Sequence, residues 1–155
     1  MDFDSSFLAL IGNEGHYSND PNDPGGETMF GISKRAYPQE DIANLTLDRA
    51  KFLYQRDYWG PAGCDAVPDS IKFHLFDTAV NQGVHTAIRV VQNAVGETPD
   101  GILGPKTLQA IANMDATKAV LRFCGARLIA YTSTPGWADF GKGWVNRVAG
   151  NLMRS

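Results

Sequence analysis

Glu14 is the residue of this chain whose setting most suggests chemistry. Phe7, Leu8, Leu10 and Ile11 form an apolar stripe at helical spacing, which predicts a short helix over residues 4–13. Asp4 or Ser5 is placed to cap it, and Gly15 to end it. At about 100° per residue, Glu14 falls on the side that holds Phe7 and Ile11. Partial burial and the negative end of the helix dipole both disfavour a carboxylate there. Both raise its pKa, as a general acid working near neutral pH requires. The alternative reading leaves Glu14 at the rim of the stripe, in solvent.

Residues 18–27 are dense in Asn, Asp, Pro and Gly, the composition of a tight polar turn. Residues 28–33 then read as a short strand or extended segment. The chain therefore leaves Glu14, turns past Asp20, Asp23 and Glu27, and returns with Thr28. A second carboxylate and a hydroxyl opposite a raised-pKa acid form the layout of glycoside hydrolysis. Asp20 could equally cap its own turn through an Asx bond. An Asp20-x-Asn22 calcium loop fails, because Pro24 and Gly31 stand at its fifth and twelfth positions. The expected metal and cofactor content is therefore none.

The string Glu14-Gly-His16-Tyr17-Ser-Asn-Asp-Pro-Asn-Asp-Pro-Gly-Gly-Glu-Thr28-Met-Phe-Gly-Ile32 resembles the signature of glycoside hydrolase family 108, a group of phage-type N-acetylmuramidases. The family's usual Glu-Gly-Gly-Tyr appears here with His16 at its third position. The order Glu14, Asp23, Thr28 is also similar to the catalytic set of T-even-type phage lysozymes, with the Thr one residue closer. The resemblance implies Glu14, Asp23 and Thr28 as catalytic residues, with Tyr17, Asp20 and Asn81 binding substrate. It covers nearly the whole chain, and Phe76-Asp-Thr-Ala-Val-Asn-Gln-Gly83 resembles a second family segment. Within that segment, Asp77 falls on an apolar helix face. Its two readings are a cleft residue or an acceptor for a nearby loop that holds the core together. Asp100-Gly-Ile-Leu-Gly-Pro-Lys-Thr107 resembles a turn of small helical peptidoglycan-binding modules.

The elements that must position these residues are helical. Expected helices run over 47–59 behind a Thr46 cap, 69–82 between Pro68 and Gly83, 84–95, 106–113, 116–132 and 137–153. A short helical turn is expected at 33–37. Tyr54, Tyr58 and Trp59 either line a sugar cleft or belong to the core. Cys64 and Cys124 sit among apolar neighbours, with buried free thiols as the default and a disulfide as the alternative. No run of about 18 apolar residues offers a membrane span. The expectation is a mainly α, lysozyme-like fold with a small β-hairpin or irregular element near residues 18–33. A catalytic lobe over 1–95 and a helical, peptidoglycan-binding-like region over 96–155 would pack as one globule.

The chain has 155 residues, enough for such a core, and its net charge of −3 argues against a general nucleic-acid binder. Residues 116–155 carry six Lys or Arg against Asp139 alone, a net +5. That asymmetry points weakly to an anionic envelope, or to nothing more than a solvated helix face. The opening Met-Asp-Phe-Asp shows no secretory signal. Together with that opening, the resemblance implies a monomeric endolysin, held in the host cytoplasm until release to the wall and acting on peptidoglycan. Two rival readings use the same fold: a non-catalytic peptidoglycan binder, and a lytic transglycosylase that needs no residue such as Asp23 to hold water.

Overall fold

The computed structural model describes residues 1–12, 17–19 and 25–154. Among them the fold is mainly helical, with one small antiparallel hairpin, as expected for a lysozyme-like protein. The chain divides into two compact units, Asp2–Asp57 and Tyr58–Ser155, the latter together with Met1.

The first unit opens with α1, Phe3–Ile11. Asp2 caps it, accepting a hydrogen bond from Ser5 N at 2.9 Å, so neither Asp4 nor Ser5 is the cap. The helix stops at Gly12 rather than Gly15. Gly12 takes φ 55 and ψ −141, a conformation open to glycine alone, and its N–H still reaches Leu8 O. Phe7 is fully buried and meets Tyr54 edge-to-face at 5.4 Å. Tyr54 belongs to α2, Leu47–Tyr54, which Thr46 caps by accepting from Arg49 N. The helix then widens into a π-helical turn over Gln55–Trp59. Phe52 on this helix is half exposed beneath Arg49 and Arg56.

Residues 28–33 are not a single strand. They form a hairpin of β1, Thr28–Met29, and β2, Ile32–Ser33, with Thr28 opposite Ser33 and Met29 opposite Ile32. Its two-residue turn puts both Phe30 and Gly31 at positive φ, which matches the right-handed twist of the strands. Tyr54 holds this strained tip. Its hydroxyl donates to Phe30 O and lies 2.7 Å from where a Cβ on Gly31 would stand. Ser18 extends the ladder, exchanging both backbone bonds with Thr28 at 2.9 and 2.8 Å. The turn expected at 33–37 is present as Ala36 and Tyr37 N–H bonds to Ser33 O.

In the second unit, α3 (Asp69–Gln82) is buried on nearly every side. Helices α4 (Val84–Val95) and α6 (Ala116–Thr132) pack against it and against each other. The shorter α5, Pro105–Ala112, lies on α4, and α7, Trp137–Leu152, lies on α6. Trp59 is buried against Phe76 at 5.4 Å, and its indole N–H donates to Asp65. Tyr54 and Trp59 are thus core residues. Both cysteines are free and buried, with Cys124 Sγ 3.7 Å from His74 Nδ1. The Gly- and Pro-rich stretch 96–105 lies inside this unit. Among the described residues no helix is long and apolar enough to cross a membrane.

Candidate active site

Glu14, Asp20 and Asp23 lie outside the described residues. What is described is the frame around them in sequence. Gly12 ends α1 two residues before Glu14 in the sequence.

Tyr17, Ser18, Glu27 and Thr28 are brought together by the ladder. With Ser18 opposite Thr28, Tyr17 lies diagonal to Glu27, within reach of a long side chain. The Tyr17 hydroxyl donates to Glu27 Oε1 at 2.7 Å. That hydrogen bond, with lesser contributions from desolvation and the Glu27 charge, holds the phenol's pKa above its usual value. Tyr17 therefore stays protonated as a donor, with its ring 43% exposed. Glu27 is fixed through its own backbone, where its carbonyl accepts from Lys34 N at 2.8 Å. Thr28 is half-buried, and among the described residues its hydroxyl makes one long contact, donating to Gly26 O at 3.4 Å. That weak bond leaves the Thr28 oxygen able to take another partner.

Asn81 stands on the last turn of α3 in the second unit. Its side chain is exposed, and its Oδ1 accepts from the Tyr131 hydroxyl at 2.6 Å. One helical turn earlier, Asp77 is 2% exposed. It accepts from Arg127 Nη1 at 2.6 Å, Arg147 Nε at 2.9 Å and Asn151 Nδ2 at 2.8 Å. All of its polar capacity is turned inward. Asp77 binds the core, as one of its two sequence readings holds, but its partners come from α6 and α7 rather than from a loop.

A family model for glycosyl hydrolase 108 matches residues 7–83. The solved structure of Brucella abortus SagA is 31% identical to this chain and superposes with a TM-score of 0.84, covering 98% of this chain and 92% of that one. The chain belongs to the glycosyl hydrolase 108 family. No curated protein sequence matches it.

As a family 108 glycoside hydrolase, the chain keeps every candidate residue within the matched stretch, from Glu14 through Asn81. The likeness to SagA extends over the whole chain, so α4 to α7 belong to the shared fold as well. The turn that resembles a binding module is built as a clasp. Gln92, 1% exposed, donates to Asp100 Oδ1 at 2.7 Å and to Ile102 O at 3.0 Å, and accepts from Gly101 N at 2.9 Å. Gly101 is required there, with φ 78 and the His85 ring 2.2 Å from where a Cβ would be. The Tyr17–Glu27 bond is the feature that sequence reasoning missed. Assigning Ser18 to Thr28 as partners would have revealed it.

Proposed function

We propose that this family 108 hydrolase is a muramidase, cutting the β-1,4 bond between N-acetylmuramic acid and N-acetylglucosamine in bacterial peptidoglycan. The observation that carries the reading is the family match over residues 7–83, which contains the whole Glu14-to-Ile32 signature. In this reading Glu14 protonates the leaving oxygen. Asp23, with Thr28, holds the water that attacks the opposite face of the sugar. That is the inverting scheme, which needs roughly 6.5–9.5 Å between the two carboxyl groups. Tyr17 supports it as a hydroxyl held on a fixed ladder: its one proton goes to Glu27, which leaves its oxygen to accept from a sugar hydroxyl. Asp20 and Asn81 complete the substrate contacts. The phage-type signature further supports an endolysin that waits in the host cytoplasm and works as a monomer without a cofactor.

Glu14→Gln tests the reading. The amide is nearly isosteric but carries no proton to give, and general acid catalysis is typically worth about 10²–10⁴ in rate. Native chain incubated with purified peptidoglycan should release fragments ending in reducing muramic acid, detected by mass spectrometry. Folded Glu14→Gln protein should release almost none. Anhydro-muramic ends would make the enzyme a lytic transglycosylase, and no fragments at all would make it a binder.

A further inference from the structure

Helix α7 carries Trp137, Phe140 and Trp144 at the spacing of one helical face. In a bundle such a stripe is ordinarily core. Here Phe140 is 62% and Trp137 37% exposed, while Trp144 is half-buried. The rings form a connected set, with Trp144 centred 6.4 Å from Trp137 and 6.2 Å from Phe140. Two glycines make room for them. A Cβ on Gly141 would stand 2.7 Å from the Trp137 ring, and one on Gly136 would stand 3.1 Å from the Phe140 ring. Gly141 inside a helix costs about 1 kcal/mol relative to Ala, so the sequence gives up helix stability where it lays these rings down.

Polar groups border the rings, and they are already held in place. Tyr131 stacks on Trp144 at 4.9 Å, and its hydroxyl donates to Oδ1 of Asn81, an exposed residue whose amide N–H groups are its remaining donors. Arg147, next along the face, is pinned by Asp77 yet remains 36% exposed. Rigid aromatic rings beside fixed hydrogen-bond donors suit the apolar faces and hydroxyl or acetamido groups of sugars. A lipid surface needs no such fixed donors. Of the six cations over residues 116–155, Arg127 and Arg147 are paired with Asp77, and Lys118, Arg122, Lys142 and Arg154 against Asp139 leave a smaller positive excess to attract a glycan bearing carboxylates.

We propose that Trp137, Phe140 and Trp144, with the Asn81 amide, form a glycan-binding surface on which sugar rings of a peptidoglycan strand stack. This rests on the peptidoglycan reading given above, in which Asn81 is already a substrate contact, and adds three aromatic rings that the signature does not contain.

The test is co-sedimentation of the full chain, as the non-cleaving Glu14→Gln variant, with purified insoluble sacculi. Trp137→Ala with Phe140→Ala should weaken binding about tenfold, from the loss of two stacking rings. Trp137→Tyr with Phe140→Tyr should restore most of it, and Ile129→Ala, an exposed apolar control on α6, should bind like its parent. Thermal midpoints confirm that each variant is folded. A folded double-Ala variant that binds sacculi as tightly as its parent overturns the proposal. So does a variant that keeps sacculus binding but loses binding to phosphatidylglycerol vesicles, which would make the face a membrane contact. If the parent itself fails to bind, the proposal falls. Release of fragments by the native chain then decides whether the peptidoglycan reading falls with it.

Discussion

Asp77→Ala should be among the most damaging single changes in the second unit. The carboxylate is the shared acceptor for Arg127, Arg147 and Asn151, on helices 50 to 74 residues away in sequence. Without it, the Arg127 side chain, 1% exposed, has lost its counter-charge, and its Nη2 already has no partner among the described residues. Arg147, 36% exposed, can turn to water, so the cost falls mainly on Arg127. Breaking a buried pair on one side costs about 3–5 kcal/mol. At roughly 2–4 °C per kcal/mol for a chain of this size, the melting midpoint should fall by about 6–20 °C.

Calorimetry or circular dichroism measures that fall. Asp77→Leu combined with Arg127→Met should lose less than Asp77→Ala alone, because no buried charge is left uncompensated. The pair also fixes a pH window. Burial pushes the Asp77 carboxyl up, but the charges and hydrogen bonds of Arg127 and Arg147 outweigh it and hold the pKa below the usual carboxylate value. A depressed carboxylate stabilises fully above its unfolded pKa of about 3.9 and loses that contribution as the pH falls through the folded value. Asp77→Ala should therefore differ most from the native chain above about pH 4 and converge with it in stronger acid. A loss under about 1 kcal/mol at pH 7 would refute the reasoning, since it would mean that Arg127 finds water or another acceptor.

His74 is buried, and desolvation, helped by the Arg127 charge, lowers its pKa to about 4. Stability should drop by roughly 3 kcal/mol between pH 6.5 and 4, where the unfolded chain binds the proton first, and His74→Phe should flatten that slope in thermal melts. Among Asp20→Asn, Asp23→Asn, Glu27→Gln and Thr28→Ala, the proposed mechanism requires Asp23→Asn to lose the most activity and NMR to show the α-anomer as first product. An Asp23→Asn enzyme as active as the native chain removes Asp23 from the scheme. A 1–95 fragment should be unfolded or molten by circular dichroism, because it loses the α6 side chains Val120 and Phe123 that are buried in the unit containing α3 and α4. A cooperative melt of that fragment would show that residues 96–155 are dispensable for folding.

Helix positions were legible wherever a cap and a stop stand beside a periodic run. Thr46, Pro68, Gly83 and Gly96 bound their helices where the sequence places them. The expected span 116–132 is also the observed one, capped by Asp115. The misjudged end of α1 had two candidate glycines. Gly12 is met first, and nothing in the local sequence shows that it would take the positive φ that ends the helix. The small β-hairpin or irregular element expected near residues 18–33 is a hairpin at 28–33, but its turn was not legible, because Phe30 is a residue type that seldom adopts φ 51 and is held there by Tyr54 from 24 residues away. The π-helical turn at Gln55–Trp59 has no sequence signature of its own. Asp77 was visible as an acid on an apolar face, but its partners are set by tertiary packing, which no local pattern encodes.

The same distinction separates two features of the C-terminal helices. The Asp100-to-Thr107 turn has a recognisable pattern because its residues do a local job. Asp100 Oδ1 and both ends of the Gln92 amide are occupied within the loop, and Gly101 is needed for its backbone. Likeness at that turn is therefore a likeness of loop construction and carries little information about a ligand. The α7 aromatics have the opposite character. Their i, i+3, i+7 spacing reads as ordinary core, and only exposure in the folded chain distinguishes Phe140 from a buried residue such as Val148 on the same helix. A binding surface written in a core-like pattern is invisible to periodicity, because periodicity reports which residues share a face and not what that face meets.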